Sequence, residues 1–231
     1  GLETVPKRIE CFDNSHIQGR DTVSSMVVFT DGQPNKNAYR RFRIREDAGG
    51  NDLIAMREAL TRRFQKAVDN AVGFLPLPDL LVMDGGPTQL QVALEVLDKF
   101  SLDFIPTIGL AELSETIYLP GEDEPIALPR NSAPQHLIER LRDEAHRFAI
   151  SYHRNVHNRN ALYSVLDSIP GVGDKRKRAL FDAFMTIDAI KAASQEELAA
   201  VSLIDSRTAE SVYRYFHPDE SSAPLEEPKS E

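Results

Sequence analysis

Residues 80–86 read LLVMDGG, a short apolar run that ends in Asp84 and two glycines. Four apolar residues bounded by a turn signal are typical of a buried strand. A helix is predicted directly afterwards, over residues 88–99, because Leu90, Val92, Leu94 and Leu97 supply its apolar side. A strand that leads through a glycine turn into a helix is the basic unit of α/β folds. The sequence therefore predicts a sheet with flanking helices.

Three strand patterns precede this unit and predict an antiparallel meander. The second of them meets Asp31-Gly32, a hairpin turn signal, and the third alternates apolar residues with arginines. The chain then continues with a helix, the strand already described and further elements. The predicted ranges are strands at 8–12, 24–30, 39–45, 80–83 and 104–110, a hairpin at 116–128, and helices at 52–72, 88–99 and 132–164.

The pattern of the chain changes near residue 165. Residues 165–217 contain short helical segments around two turns, and residues 218–231 are acidic and rich in proline. We therefore expect an α/β domain over residues 1–160, a small all-α domain over residues 165–217, and an acidic disordered tail over residues 218–231.

Composition places the chain among ordinary globular proteins. Of its 231 residues, 41% are hydrophobic and 27% are charged, which excludes collagen-like and low-complexity classes. No apolar run is long enough to cross a bilayer, and the N-terminal residues lack the layout of a signal peptide. Cys11 is the only cysteine, so an internal disulfide and a cysteine-built zinc site are excluded. We expect a cytoplasmic protein with no membrane partner.

The net charge of −9 argues at first against a nucleic-acid partner. However, the last fifteen residues carry a charge of −4 and leave −5 for the rest of the chain, while basic residues form two local runs, at positions 40–45 and 175–178. Taken alone, each run is most simply a solvated surface. The distribution of charge along the chain therefore leaves DNA binding open as a function.

Two aspartates follow predicted buried strands, Asp13 after residues 8–12 and Asp84 after residues 80–83. Ligands bind at the carboxyl ends of strands in open α/β sheets, and two close carboxylates favour a hard cation such as Mg²⁺ or Mn²⁺. The alternative is that each aspartate only begins a turn. His146, beside the apolar stripe of the last long helix, could ligate the metal or transfer a proton, or could be an ordinary interfacial histidine.

The most specific local motif lies in the small helical domain, where residues 169–176 read IPGVGDKR. A Pro-Gly-x-Gly turn between two helices leaves backbone N–H groups free to hold a phosphate, and basic side chains add charge. This pattern predicts a helix-hairpin-helix clamp on the DNA backbone, which binds without reading sequence. The predicted DNA-binding residues are Gly171, Val172, Gly173, Lys175 and Arg176. A second hairpin would lie at residues 199–208, but this stretch lacks both glycines, so we expect it to be structural or a weaker contact.

In combination, these features resemble the C-terminal half of the UvrC family, the nuclease subunit of bacterial nucleotide excision repair. The resemblance extends almost to residue 217. It is carried by six motifs in order, ECFDNSHIQG at 10–19, YRRF at 39–42, MREAL at 56–60, MDGG at 83–86, IYLPG at 117–121 and DEAHRFA at 143–149.

The resemblance implies a ribonuclease-H-like endonuclease domain followed by a tandem helix-hairpin-helix domain. It assigns Asp13, Asp84 and His146 as the catalytic and metal-binding residues, with Asp52 as a further acidic position. It also implies a metal-dependent 5′ incision in damaged double-stranded DNA. The 3′ incision and the segment that docks on UvrB, with UvrA upstream in the pathway, belong to regions that precede this part of the family's chain.

A second function remains open at this point. A non-catalytic DNA-binding or scaffold module would use only the first hairpin and would bind DNA without a metal and with strong salt dependence. The acidic pair favours the nuclease, because carboxylates repel DNA and a surface that only binds phosphate would avoid them.

Overall fold

The computed structural model describes residues 2, 4–17, 21–45, 51–111, 116–122 and 124–218. The chain divides into two compact units between Ser151 and Tyr152. The predicted acidic tail lies outside the described residues, apart from Pro218.

The first unit is built on an eight-stranded mixed sheet. Its strands run in the order β3-β2-β1-β5-β6-β7-β8, with β4 also paired to β2. Their bounds are β1 Arg8–Ile17, β2 Asp21–Thr30, β3 Gln33–Pro34, β4 Arg40–Arg43, β5 Leu80–Asp84, β6 Thr107–Leu110, β7 Thr116–Tyr118 and β8 Ile126–Ala127.

Seven α-helices and one 3₁₀ turn complete the described part of the chain. The helices are α1 Asp52–Val68, α2 Pro87–Lys99, α3 Ala133–Leu166, α4 Asp174–Phe184, α5 Ile187–Ala192, α6 Gln195–Ala199 and α7 Ser206–Phe216, and the 3₁₀ turn covers Lys36–Ala38. Element types thus agree with the sequence prediction, and most boundaries move by a few residues.

The predicted end of the first strand is wrong. Asp13-Asn14-Ser15 favour a turn, yet β1 continues through them to Ile17, because β2 pairs with it antiparallel along its whole length. Parallel pairing with β5, in contrast, ends at Phe12, which lies opposite Met83. Backbone pairing with a neighbouring strand overrides the local turn preference here.

Alternation along β1 directs its side chains to opposite faces of the sheet. On one face Asn14 Nδ2 donates to the backbone carbonyl of Asp52 in α1 at 2.8 Å. On the other face lie Cys11 and Asp13. The row across the paired strands leads from Asp13 through Ser25 to Arg41, whose guanidinium contacts α3. Helices α1 and α3 therefore cover opposite faces, and Asp13 points to the α3 side.

A buried ion network that the sequence did not indicate holds β1 to α1. Glu10 and Arg63 are fully buried, and the Arg63 guanidinium donates to both Glu10 carboxylate oxygens, at 2.9 and 2.8 Å. Arg8 donates to Oε1 of the same carboxylate, at 3.0 and 2.6 Å. One buried anion thus serves two guanidinium groups.

The second unit has its own apolar core, separate from that of the sheet. It gathers the end of α3 and the four short helices around two turns, with the buried residues Leu162, Leu166, Ile169, Val172, Leu180, Ile190, Leu198, Ile204 and Val212. Among the described residues, no helix is both long enough and apolar enough to span a membrane.

Candidate active site and DNA-binding hairpin

Asp13 occupies the point at which β1 loses its parallel neighbour. Phe12 pairs with Met83, so the next residues of the two strands, Asp13 and Asp84, come side by side. Pairing of β1 with β2 continues through Asp13, and the Asp13 side chain is 12% exposed. The two strand-end carboxylates of the sequence prediction are thus brought to one edge of the sheet, although Asp13 lies within its strand rather than after it.

Asp84 ends β5 and leads into the turn Gly85-Gly86 before α2. Close packing of this turn on β6 requires a glycine at position 109. A Cβ at Gly109 would lie 2.9 Å from the carbonyl oxygen of Gly85 and 3.4 Å from that of Gly86. The turn that carries Asp84 therefore rests directly on the backbone of β6.

His146 reaches the same edge from α3. Its Nδ1 lies 3.9 Å from Asp13 Oδ2, and its side chain is 68% exposed. The distance is within the range of an ion pair and beyond that of a hydrogen bond. The imidazole is therefore free to turn toward a ligand bound beside Asp13.

Asp52 is the first residue of α1, and it approaches the site from the opposite face. The preceding Asn51 caps the helix through its side chain, which accepts from the N–H groups of Leu53 and Ile54. The hydrogen bond from Asn14 to the Asp52 carbonyl fixes this helix end to β1, next to Asp13. All four residues predicted for the site thus lie in its neighbourhood.

Electrostatics confirm that these carboxylates share one environment. Burial raises the pKa of Asp13 to about 7, and the negative charges of Asp84 and Asp52 contribute to the rise. Burial also raises the pKa of the Cys11 thiol, two residues earlier on the same face, and Asp84 and Asp13 raise it further. Burial and the neighbouring carboxylates thus disfavour the charged form of Asp13.

The donors present suit a hard divalent cation. Carboxylate oxygens are the ligands that Mg²⁺ and Mn²⁺ prefer, and a cation would offset the repulsion around Asp13. On the same face as Asp13, the buried Ser25 Oγ has no hydrogen-bond partner among the described residues. Among the residues that the structure describes, however, no three His, Cys, Asp or Glu side chains form a group that could hold a metal ion by itself. Water or a phosphate oxygen would have to complete the coordination.

A set of contacts that the sequence analysis did not foresee fixes α3 near His146. Arg41 donates to the carbonyl of Phe148 at 3.1 Å and to Ser151 Oγ at 2.9 Å, and it stacks on the Phe148 ring. The Tyr39 hydroxyl donates to Glu144 at 2.9 Å. No local sequence signal marks these contacts, because Glu144 and Phe148 lie 105 and 107 residues after Tyr39 and Arg41.

The first hairpin of the second unit has the geometry that a phosphate clamp requires. Gly171 has a φ of +86°, a conformation that side chains disfavour. Gly173 is the N-cap residue of α4. Because glycine has no side chain, no side-chain hydrogen bond caps the first-turn N–H groups of this helix. Helix α4 therefore begins with N–H groups open to an anion.

The five residues predicted to bind DNA differ in their surroundings. Lys175 is exposed, and Val172 is buried in the core with its N–H donated to the Ile169 carbonyl. Arg176 donates to the Gly171 and Leu203 carbonyls and to Asp205. Val172 and Arg176 thus hold the hairpin together, and the backbone at Gly171 and Gly173 with Lys175 forms its open face.

Comparison with known proteins identifies both units. Residues 1–150 match the family model of the UvrC RNase H endonuclease domain, and residues 163–224 match that of the helix-hairpin-helix motif. The chain belongs to the UvrC family. This confirms the resemblance and the predicted fold, a ribonuclease-H-like mixed sheet with flanking helices followed by a helical region.

Curated UvrC relatives match the chain closely over a limited part of their own length. UvrABC system protein C of Chlorobaculum tepidum is 48% identical over 94% of this chain and 34% of the relative, and that of Gloeobacter violaceus is 44% identical over 94% and 35%. The chain thus spans about a third of the length of these relatives. A solved structure of Ciona intestinalis endonuclease V with inosine-containing DNA is 17% identical, with a TM-score of 0.35 over 60% of this chain and 56% of that one.

The raised pKa of Asp13 predicts that Asp13→Asn stabilises the protein at alkaline pH when no divalent metal is supplied. Because the folded pKa of Asp13 is raised to about 7 from 3.8, the folded state binds this proton more tightly. The Asp13 contribution to stability is therefore lost as pH rises from about 4 to 7. We expect the variant to be about 1–3 kcal/mol more stable at pH 8, with the difference disappearing near pH 4.

Urea unfolding in EDTA, followed by circular dichroism at both pH values, measures this difference. Asp98→Asn, an exposed position on α2, is the matched control and should change stability little at either pH. Equal stabilities of wild type and Asp13→Asn at pH 8 would contradict the electrostatic interpretation.

Proposed function

We propose that this chain is a divalent-metal-dependent DNA endonuclease that makes the 5′ incision at damaged DNA in nucleotide excision repair. The observation that carries the proposal is the convergence of Asp13, Asp84 and His146 at one edge of the sheet. The raised pKa of Asp13, due to burial and to neighbouring carboxylates, supports a site prepared for a cation. Membership of the UvrC family supports the reaction class.

In this proposal Asp13 and Asp84 would hold one Mg²⁺ or Mn²⁺, with His146 completing the ligand shell or transferring a proton. The metal, when bound, would polarise the scissile phosphoryl oxygen and lower the pKa of its water. The protein supplies orientation: β1 and the turn after β5 fix the two carboxylates, and the Arg41 and Tyr39 contacts fix α3. Asp52 adds negative charge that strengthens cation binding.

The first hairpin would hold the DNA. Its open helix N-terminus at Gly173 would receive a backbone phosphate, and exposed Lys175 would add a charge contact. The contacts would be independent of sequence, as a repair enzyme needs. Because the chain itself is acidic, we expect this local binding surface to dominate the interaction.

The partners are part of the same proposal. The curated relatives are named as components of the UvrABC system. We therefore propose that the chain acts on damaged double-stranded DNA together with UvrB, after UvrA, in the cytoplasm. Docking on UvrB would depend mainly on a segment outside this chain.

Cleavage of DNA by the purified chain tests the proposal. Supercoiled plasmid, nicked duplex and bubble DNA are incubated with Mn²⁺, with Mg²⁺ and with EDTA, and strand breaks are followed on denaturing gels. We expect breaks with at least one metal and none with EDTA. Binding that is equal in all three conditions, without breaks even when UvrA, UvrB and a lesion are supplied, would instead indicate a non-catalytic DNA-binding module.

A further inference from the structure

The two hairpins of the second unit share one backbone plan. In the first, the Ile169 carbonyl accepts from the N–H of Val172 at 3.2 Å, and in the second the Val201 carbonyl accepts from Ile204 at 3.1 Å. Gly171 has a φ of +86°, and Leu203, in the same place, has a φ of +72°. The second turn thus keeps the hairpin conformation although a leucine replaces the glycine.

The difference lies at the residue that caps the following helix. Gly173 leaves the start of α4 open, whereas Asp205 caps α7 with its own carboxylate, because Oδ1 accepts from the N–H of Thr208 at 2.7 Å. The position that a DNA phosphate would occupy on the first helix is therefore filled, on the second, by a negative group of the protein.

The other oxygen of the same carboxylate engages a cation of the first hairpin. Arg176 Nη2 donates to Asp205 Oδ2 at 2.7 Å, while its Nε donates to the Leu203 carbonyl at 3.0 Å and its Nη1 to the Gly171 carbonyl at 2.8 Å. Asp205 thus uses both oxygens, one on a helix start and one on a guanidinium group. These are the two kinds of partner that a phosphate would have.

The backbone at Leu203 indicates that the capping carboxylate, rather than a collapsed turn, closes this hairpin. A leucine with positive φ is strained, and Leu203 is an exposed residue. The bond from Arg176 to the Leu203 carbonyl helps to keep the turn in place. Removal of the carboxylate should therefore expose a hairpin that is already formed.

We propose that Asp205 determines how this unit binds DNA, acting as an internal phosphate mimic that closes the second hairpin and restricts the clamp to one backbone contact. The inference rests on the proposed function in one respect, that the first hairpin binds DNA phosphate.

Reciprocal substitutions in the full chain test the proposal. Asp205→Gly removes the capping carboxylate from the second hairpin. Gly173→Asp places a carboxylate at the corresponding position of the first hairpin, where a Cβ meets no atom within 4 Å. Binding to a fluorescent undamaged duplex is measured in EDTA over a range of salt concentrations, so that cleavage plays no part. Asp188→Asn, an exposed position in the first turn of α5, controls for the loss of one negative charge.

We expect Asp205→Gly to bind about 5-fold more tightly, with a salt slope steeper by about one phosphate contact. We expect Gly173→Asp to bind about 10-fold more weakly, and Asp188→Asn to stay within about 2-fold of wild type. Asp205→Asn keeps a capping side chain without its charge, so it decides the matter if Asp205→Gly proves misfolded by circular dichroism. It should gain about 3-fold, more than the Asp188→Asn control.

The two hypotheses fail in different ways. If Gly173→Asp weakens binding while the Asp205 variants bind like wild type, the role of Asp205 is wrong and the first hairpin is still the clamp. If Gly173→Asp leaves DNA affinity unchanged, the first hairpin does not hold DNA. The proposed clamp and the proposed role of Asp205 are then both wrong. Neither result depends on whether the sheet unit cleaves DNA.

Discussion

Asp84→Asn is expected to lower the rate of DNA cleavage by about 1000-fold or more, while DNA affinity stays the same or rises. Asparagine preserves the size of the side chain at the end of β5 but removes the charge that would hold the cation. Because one negative charge close to the DNA is lost, binding should not weaken. The measurements are the rate of plasmid nicking in Mn²⁺ and the affinity for duplex DNA in EDTA.

Asp98→Asn is the control for this experiment, because it removes an equal charge from the exposed side of α2. It should cleave at the wild-type rate. Cleavage retained by Asp84→Asn would refute Asp84 as a metal ligand. A parallel loss of affinity would place Asp84 in DNA binding instead.

Of the substitutions considered, Glu10→Gln is expected to lower the free energy of unfolding most, by about 3–5 kcal/mol. The substitution leaves the fully buried Arg63 and the nearly buried Arg8 without their anion. Arg63 already has one buried nitrogen, Nη1, without a hydrogen-bond partner among the described residues, so it cannot easily find another. Urea unfolding followed by circular dichroism gives the free energy of unfolding.

An exposed ion pair in the same unit supplies the comparison. Arg57 and Glu95 lie 2.5 Å apart between α1 and α2, with side chains 50% and 44% exposed. Solvent-exposed pairs contribute little, so Glu95→Gln should lower the free energy of unfolding far less than Glu10→Gln does. Similar losses for both variants would show that burial does not set the value of the Glu10 network.

The general fold follows from sequence patterns because apolar periodicity and turn residues are local signals. Asp31-Gly32 gives the hairpin between β2 and β3, and residues 80–86 give the central strand and its turn. The end of β1 was not predictable in this way. Residues 13–15 favour a turn in isolation, and only the antiparallel partner β2 makes them a strand.

The site was predictable as far as chemistry is carried by single residues. Asp13 and Asp84 follow apolar runs, and the UvrC motifs add His146 and Asp52, so the candidates could be named without coordinates. Their roles in catalysis stay predictions. Contacts that depend on distant pairing could not be read, since nothing local marks Arg41 as a support for α3.

Two arginines show why charge patterns alone mislead. The charge of Arg63 alone suggests a solvated side chain, yet Arg63 is buried against an anion 53 residues earlier. Arg176 belongs to a basic run that suggests DNA contact, yet its three nitrogens bind the protein. In both cases the partner lies far away in sequence, and only folding brings the two groups together.

The tight fit of β6 beneath the Gly85-Gly86 turn has a consequence for a screen of random variants of this chain for the proposed nuclease activity. Any side chain at position 109 would push against the loop that presents Asp84, so inactive clones will accumulate at a residue with no functional group at all. A map of activity-destroying substitutions will therefore outline the supports of the reaction centre as well as its chemistry. Position 109 will look essential although it never meets the substrate.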